Sequence, residues 1–195
     1  LSPAQEEVDT LREFLNNGGK WFGLHGTNAL IEFVGEMQIV DGIEIPGKTD
    51  TPNKNPELMK LLGSRFIAHP PNMTIKVKVN DKSNPITKDL EDFEIFDEPY
   101  YCEFSDGIKI LLESRYTDDA DAYVSSSWKE DIPRPQMYLH KVGKGSVLYL
   151  MLGHCRGKYD MRPFMDECPV DRGGWESEVF YELLRRGIKW GINKL

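Results

Sequence analysis

The chain has 195 residues, enough for one core, with 39% apolar and 29% charged residues, an ordinary balance for a globular protein. No run approaches the roughly 18 apolar residues of a membrane span. A net charge of −8 and a pI near 5.1 repel phosphate backbones, so neither a membrane nor a nucleic acid is an expected partner.

The elements follow in chain order. "LSPAQEEVDTLREFLNNGG" predicts a helix, with Ser2 as cap, Pro3 at its first position and Gln5 completing a capping box. Val8, Leu11 and Leu15 share one face, and Asn17-Gly18-Gly19 ends the helix. "KWFGL" reads as a parallel strand covered on both faces. A second helix is expected from Thr27 or Asn28, carrying Leu30, Ile31, Phe33 and Val34, then a long loop over 37–56. Asn55-Pro56 starts a short helix through Leu62. "MTIKVKV" alternates as a strand with one wet face, "NPIT" turns, and "FEIFDEPYY" and "IKILLESRY" are further strands. Residues 117–121 form an acidic loop. "QMYLHKVGKGSVLYLMLGH" is a hairpin turning at Gly143-Lys144-Gly145, its second arm apolar on both faces. A polar loop over 155–174 precedes an amphipathic helix from Trp175 to Asn193, carrying Val179, Leu183, Ile188 and Ile192. This is an α/β pattern with a parallel core and an antiparallel insertion. No composition shift marks a boundary, so residues 1–195 read as one domain.

Chemistry is concentrated at strand ends. Lys20–Leu24 ends at His25, and Val147–Leu152 ends at Gly153-His154. Open α/β sheets bind ligands beyond the carboxyl ends of their parallel strands, so both imidazoles are expected in one crevice, with Gly23, Gly26 and Gly153 allowing tight turns. Either histidine alone is as readily a hydrogen-bonded structural residue. Asp97-Glu98 precedes Pro99 at another strand end. Successive side chains diverge, so one carboxylate faces the pocket, and Glu98 is preferred. His69, before Pro70-Pro71, is a pocket wall or a surface residue. His140 reads as structural. Cys155 follows His154 and points away from it, so a Cys–His nucleophile is not expected. Arg156 can grip an oxygen-rich ligand. Cys102, Cys155 and Cys168 are scattered and form no CxxC. They suggest no disulfide framework and fit a reducing, cytoplasmic compartment. The first residue is not Met, which leaves an exported form open.

"GGKWFGLHGT", "GSRFIAHPP", "NPITKDLEDFEIFDEPYY", "GKGSVLYLMLGH" and "FYELLRRGIKWGIN", in this order, resemble the trehalose-utilisation (ThuA-like) family from about Leu1 to Asn193. The resemblance implies a flavodoxin-like, class I glutamine-amidotransferase-like three-layer sandwich, with a mostly parallel central sheet and antiparallel additions. It implies site residues His25, His69, Asp97, Glu98, Tyr100 and His154. Amidotransferases of that fold carry a nucleophilic Cys at a G-x-C-x-G elbow. Here "GLHGT" puts His25 in that place, so glutamine hydrolysis through a thioester is not expected. The chain departs from the family in lacking a strand–helix–strand section before its first helix, which implies a truncated chain or a covered sheet edge. It also has Asn84 where His is common and Ser146 where Arg is frequent.

The function implied is sugar processing by acid–base chemistry, on trehalose or a related disaccharide or keto-sugar, by a hydrolase or by an isomerase or lyase. His25 or Glu98 is the expected base and His154 the acid or orienter, with His69, Asp97, Tyr100 and Arg156 binding substrate. His25, His69, His154 and Glu98 are also ligand types for zinc or another divalent ion, although no HxxxH or HxH spacing marks them. The competing class is a non-catalytic carbohydrate-binding or regulatory domain on the same fold. The expected partner is a small-molecule sugar, and a homo-oligomer is compatible with the sequence.

Overall fold

The first helix, α1 (Gln5–Asn16), is capped two residues later than the sequence suggests. Ala4 holds the cap position, and its N–H donates to the Glu7 carboxylate at 2.8 Å, so Glu7 takes the place expected of Gln5 and Ser2 lies outside the helix. Val8 and Leu15 are buried. The structure is a computed structural model describing residues 2–40, 43–45, 47–163 and 165–195. Leu1, parts of the expected 37–56 loop (Asp41, Gly42, Pro46) and Phe164 of the 155–174 loop lie outside the described residues.

Strand β1 (Lys20–Leu24) follows, then a 3-10 turn over His25–Asn28. The expected second helix does not form. Ile31, Phe33 and Val34 are β-branched or aromatic, and β2 (Glu32–Val34) pairs antiparallel with β5 (Lys48–Asp50). The expected loop therefore carries structure, including the short antiparallel pair β3 (Gln38–Val40) and β4 (Ile43–Ile45). Helix α2 (Pro56–Leu62) forms as read. The Asn55 side chain accepts from Leu58 N–H, and Gly63 closes the helix at φ +86°.

The remaining strands are β6 (Ser64–Ala68), β7 (Met73–Val79), β8 (Phe93–Asp97), β9 (Tyr101–Phe104), β10 (Lys109–Ser114), β11 (Arg134–Val142) and β12 (Gly145–Leu150). The main sheet has the order β1-β12-β11-β10-β7-β8, and β6 pairs with β9 apart from it. The sheet is mixed. Its parallel part is the β1–β12 pair, and the β11–β12 hairpin, β10, β7 and β8 are the antiparallel addition. The antiparallel share thus exceeds the mostly parallel sheet expected. Val147 through Leu152 are all buried, which matches their apolar run. β1, by contrast, is an edge strand with Trp21 37% exposed, so it is not covered on both faces.

Helix α3 (Glu178–Gly191) packs against β1. Its buried face is Phe180, Leu183 and Gly187, and Ile188 and Ile192, expected in the core, are exposed. Gly187 is required there: a Cβ at this position would stand 2.2 Å from the Phe22 ring. Gly187→Val is expected to destabilise the chain by about 2 kcal/mol or more through overpacking, read as a lower urea midpoint at unchanged slope. No described helix is long and apolar enough to cross a membrane.

Candidate functional site

Because β1 and β12 run parallel in register, with Leu24 opposite Leu150, they deliver His25 and His154 to the same end of the sheet. The ring centroids are 5.8 Å apart. His25 sits at φ +41°, a left-handed backbone that costs a non-glycine residue about 1–3 kcal/mol. A fixed turn holds it there. Tyr149 OH donates to His25 O at 2.6 Å and accepts from Asn28 N–H at 2.8 Å, and Thr27 Oγ1 donates to Leu24 O. Tyr149 is itself admitted by Gly23, whose missing Cβ would lie 2.7 Å from the Tyr149 ring. The His25 ring is oriented by Met151 O at 2.8 Å from Nδ1 and by Tyr100 OH at 2.8 Å from Nε2.

β8 approaches from the other edge of the sheet and ends in the two carboxylates. Their directions diverge, as an extended chain requires. Glu98 meets the imidazoles: Oε2 lies 3.3 Å from His25 Nε2, and Oε1 lies 3.2 Å from His69 Nε2 and 3.3 Å from His154 Nδ1. Asp97 turns inward and is fully buried. Its oxygens accept four backbone N–H groups, from Glu98 (2.7 Å), Gly153 (2.9 Å), His154 (3.0 Å) and Gly174 (3.1 Å). Asp97 is therefore not the substrate contact expected of it. It ties the end of β8 to the loop beyond β12, and so places Glu98 against His154.

His69 follows β6, with Nδ1 2.8 Å from Pro70 O, and it faces the cluster rather than the surface. Tyr123 stands edge-on to it at 5.0 Å. The far nitrogen of His154, Nε2, is buried without a hydrogen bond and lies 3.7 Å from Asp171 Oδ2. Asp171 is fixed by Asn72 Nδ2 and by Gly173 N–H. Tyr149 and Asp171 escaped the sequence reading. Tyr149 lies in an apolar run, and Asp171 lies in a polar loop without periodicity. The Arg156 guanidinium sits apart, its Nε donating to Pro169 O, while the Arg156 backbone pairs with that of Asp171. His140 bonds Lys60 O, as a structural residue would, and Cys155 is exposed and unpaired with His154.

The electrostatics separate the groups. Burial lowers the pKa of His69 and outweighs the pull of Glu98, so its ring is neutral at pH 7. Hydrogen bonding to Glu98 raises the pKa of His154. For Glu98, burial works against ionisation, but hydrogen bonds from His154 and His25 prevail and hold it well below the usual carboxylate range. Burial raises the pKa of Asp97 against its four N–H donors and pushes the Tyr100 phenol well up, so Tyr100 stays protonated. The site thus combines an ionised carboxylate, an imidazole biased toward its protonated form, a neutral imidazole and a phenol.

A sequence model of the ThuA family, described as trehalose utilisation, matches residues 45–168. The chain belongs to the ThuA family. The matched span contains His69, Glu98 and His154, while the His25 turn lies before it. Two solved ThuA-like proteins share the fold at 19% identity each. One, from Bacteroides uniformis, has a TM-score of 0.63 over 99% of this chain, and the other, from Parabacteroides merdae, 0.59 over 98%. The ThuA chain described here spans 66% of the length of each. A cytoplasmic protein of Salmonella typhimurium shares the fold more distantly, with a TM-score of 0.52 at 12% identity over 97% of this chain and 62% of its own. No curated protein matches the chain.

A groove of about 960 Å³ lies elsewhere, along β1 and α1, lined by Leu11, Phe14, Trp21 and Phe22. None of the cluster residues lines it, and its walls are mainly apolar, with Glu7 and Lys20 the charged groups along them.

Proposed function

We propose that this ThuA-family chain is a sugar-processing enzyme working by acid–base catalysis on trehalose, a related disaccharide or a keto-sugar. The observation that carries the reading is the Glu98 carboxylate held within 3.3 Å of three imidazole nitrogens brought from three other segments. Such a group can take a proton from a sugar hydroxyl, or from a carbon beside a carbonyl, at one point and return it at another. His25 or Glu98 acts as base and His154, with its raised pKa, as acid. Tyr100 and His69 supply a hydroxyl and an aromatic edge to the bound sugar. The family's description supports the substrate class. A thiol mechanism has little support: Cys155 is exposed and outside the cluster, and burial pushes the Cys102 thiol up to about 12. Three unpaired cysteines fit a cytoplasmic setting.

The test is incubation with trehalose, sucrose, maltose and their keto derivatives, followed by product analysis. Conversion of at least one is expected. Saturable binding with no product over long incubation would instead establish the second reading, a carbohydrate-binding or regulatory domain. That reading is favoured by an imidazole at the elbow where amidotransferases place a thiol.

A further inference from the structure

We propose that His25, His154 and Glu98 form a divalent-metal site, suited to zinc, with His69 at its rim. It rests on the same convergence of side chains as the sugar reading and goes beyond it by giving the cluster an ion to hold.

The first argument is hydrogen-bond direction. A backbone carbonyl only accepts, so Met151 O requires a proton on His25 Nδ1, and Pro70 O requires one on His69 Nδ1. Where both rings are neutral, both Nε2 atoms carry lone pairs and both face Glu98; Tyr100 OH, 2.8 Å away, can donate to that of His25, while that of His69 meets the carboxylate directly. A lone pair pointing at a carboxylate repels it unless something positive stands between them. Among the described residues no Lys or Arg pairs with Glu98, whose ion-pair partners are all histidines.

The second argument is distance. Charge-assisted hydrogen bonds run to about 2.7–2.9 Å. The Glu98 contacts are 3.2–3.3 Å, longer in all three cases. Nitrogen and oxygen ligands about 2.0–2.2 Å from a tetrahedral zinc stand about 3.3–3.6 Å from one another, and His25 Nε2 and His154 Nδ1 each lie 3.3 Å from a Glu98 oxygen. The ligand atoms of His25, Glu98 and His154 all lie within 4.8 Å of one another. The third argument is the outer shell. Metal-bound histidines characteristically turn their other nitrogen toward a carbonyl or carboxylate. Here Met151 O takes that place for His25, and Asp171 Oδ2, 3.7 Å away, for the otherwise unpartnered His154 Nε2. Two imidazoles and one carboxylate leave a fourth position open, as in catalytic zinc sites. With an ion bound, the Glu98 carboxylate would ligate it instead of serving as a base, leaving that open position for a sugar oxygen or water.

The experiment is zinc titration by calorimetry on the tag-free full chain after chelation, with far-UV circular dichroism checking each variant. One zinc per chain is expected, at micromolar affinity or tighter. His25→Ala, Glu98→Gln and His154→Asn should each weaken binding about 100-fold or more, and His140→Ala should bind like the parent. The cobalt(II)-loaded parent should show the intense visible absorption of a four- or five-coordinate ion, a readout independent of any variant's folding. No zinc uptake by the parent, undiminished uptake by the folded variants, or a weak six-coordinate cobalt spectrum overturns the proposal. Zinc bound without sugar turnover leaves the metal site standing and removes the sugar reading. Full turnover by metal-free protein does the reverse.

Discussion

Asp97→Ala is expected to destabilise the chain by at least about 3 kcal/mol. The Asp97 carboxylate is fully buried, and it is the acceptor for the N–H groups of Glu98, Gly153, His154 and Gly174. Alanine leaves those donors facing a void, and each buried donor without a partner costs about 1–3 kcal/mol. The costs do not add fully, since water can enter and the loop can relax. Even so, the loss is a large share of the roughly 5–15 kcal/mol that holds a domain folded. Asp97→Asn is nearly isosteric but turns an NH₂ group toward N–H donors, so it should lose about 1–3 kcal/mol. Urea unfolding of both variants measures this. A loss below 1 kcal/mol for the alanine variant would show that the four bonds do not hold the site together.

His25→Ala and Glu98→Gln are each expected to lower kcat/KM on the converted sugar about 10²–10⁴-fold, the range a positioned acid–base group contributes. The double variant should lose little more than the worse single one, because groups working as a unit are not additive. His25→Gly separates function from folding. Glycine adopts φ +41° without the strain histidine bears, so this variant should be at least as stable as the alanine variant while equally inactive. Full turnover by His25→Ala would end the acid–base reading of this residue.

Much of this arrangement is legible in the residues. The β11–β12 hairpin, α2 with its Asn55 cap and Gly63 stop, and the alternation of β7 are local signals of period and turn chemistry, and the structure has them where they were read. The candidate cluster is legible for the same reason. His25, Glu98 and His154 stand at the ends of strands that hydrophobic runs define, and parallel pairing then brings His25 and His154 to one end. The segment at 27–34 misled because its apolar spacing fits a helix, while β-branched and aromatic side chains with a pairing partner at 48–50 decide for a strand.

The sequence by itself determined which side chains stand at strand ends, because strand length and breaker residues are written locally. Only the tertiary structure decided what those side chains do. The structure assigned Asp97 to four backbone donors, Glu98 to three imidazoles, Tyr149 to the His25 turn and Asp171 to the far side of His154. Each of these roles depends on a partner between 17 and 124 residues away in the chain or on burial, and no local pattern encodes either. The physical reason is that a carboxylate's role follows from the donors packed around it, and those donors arrive only when the sheet curls and its two edges meet.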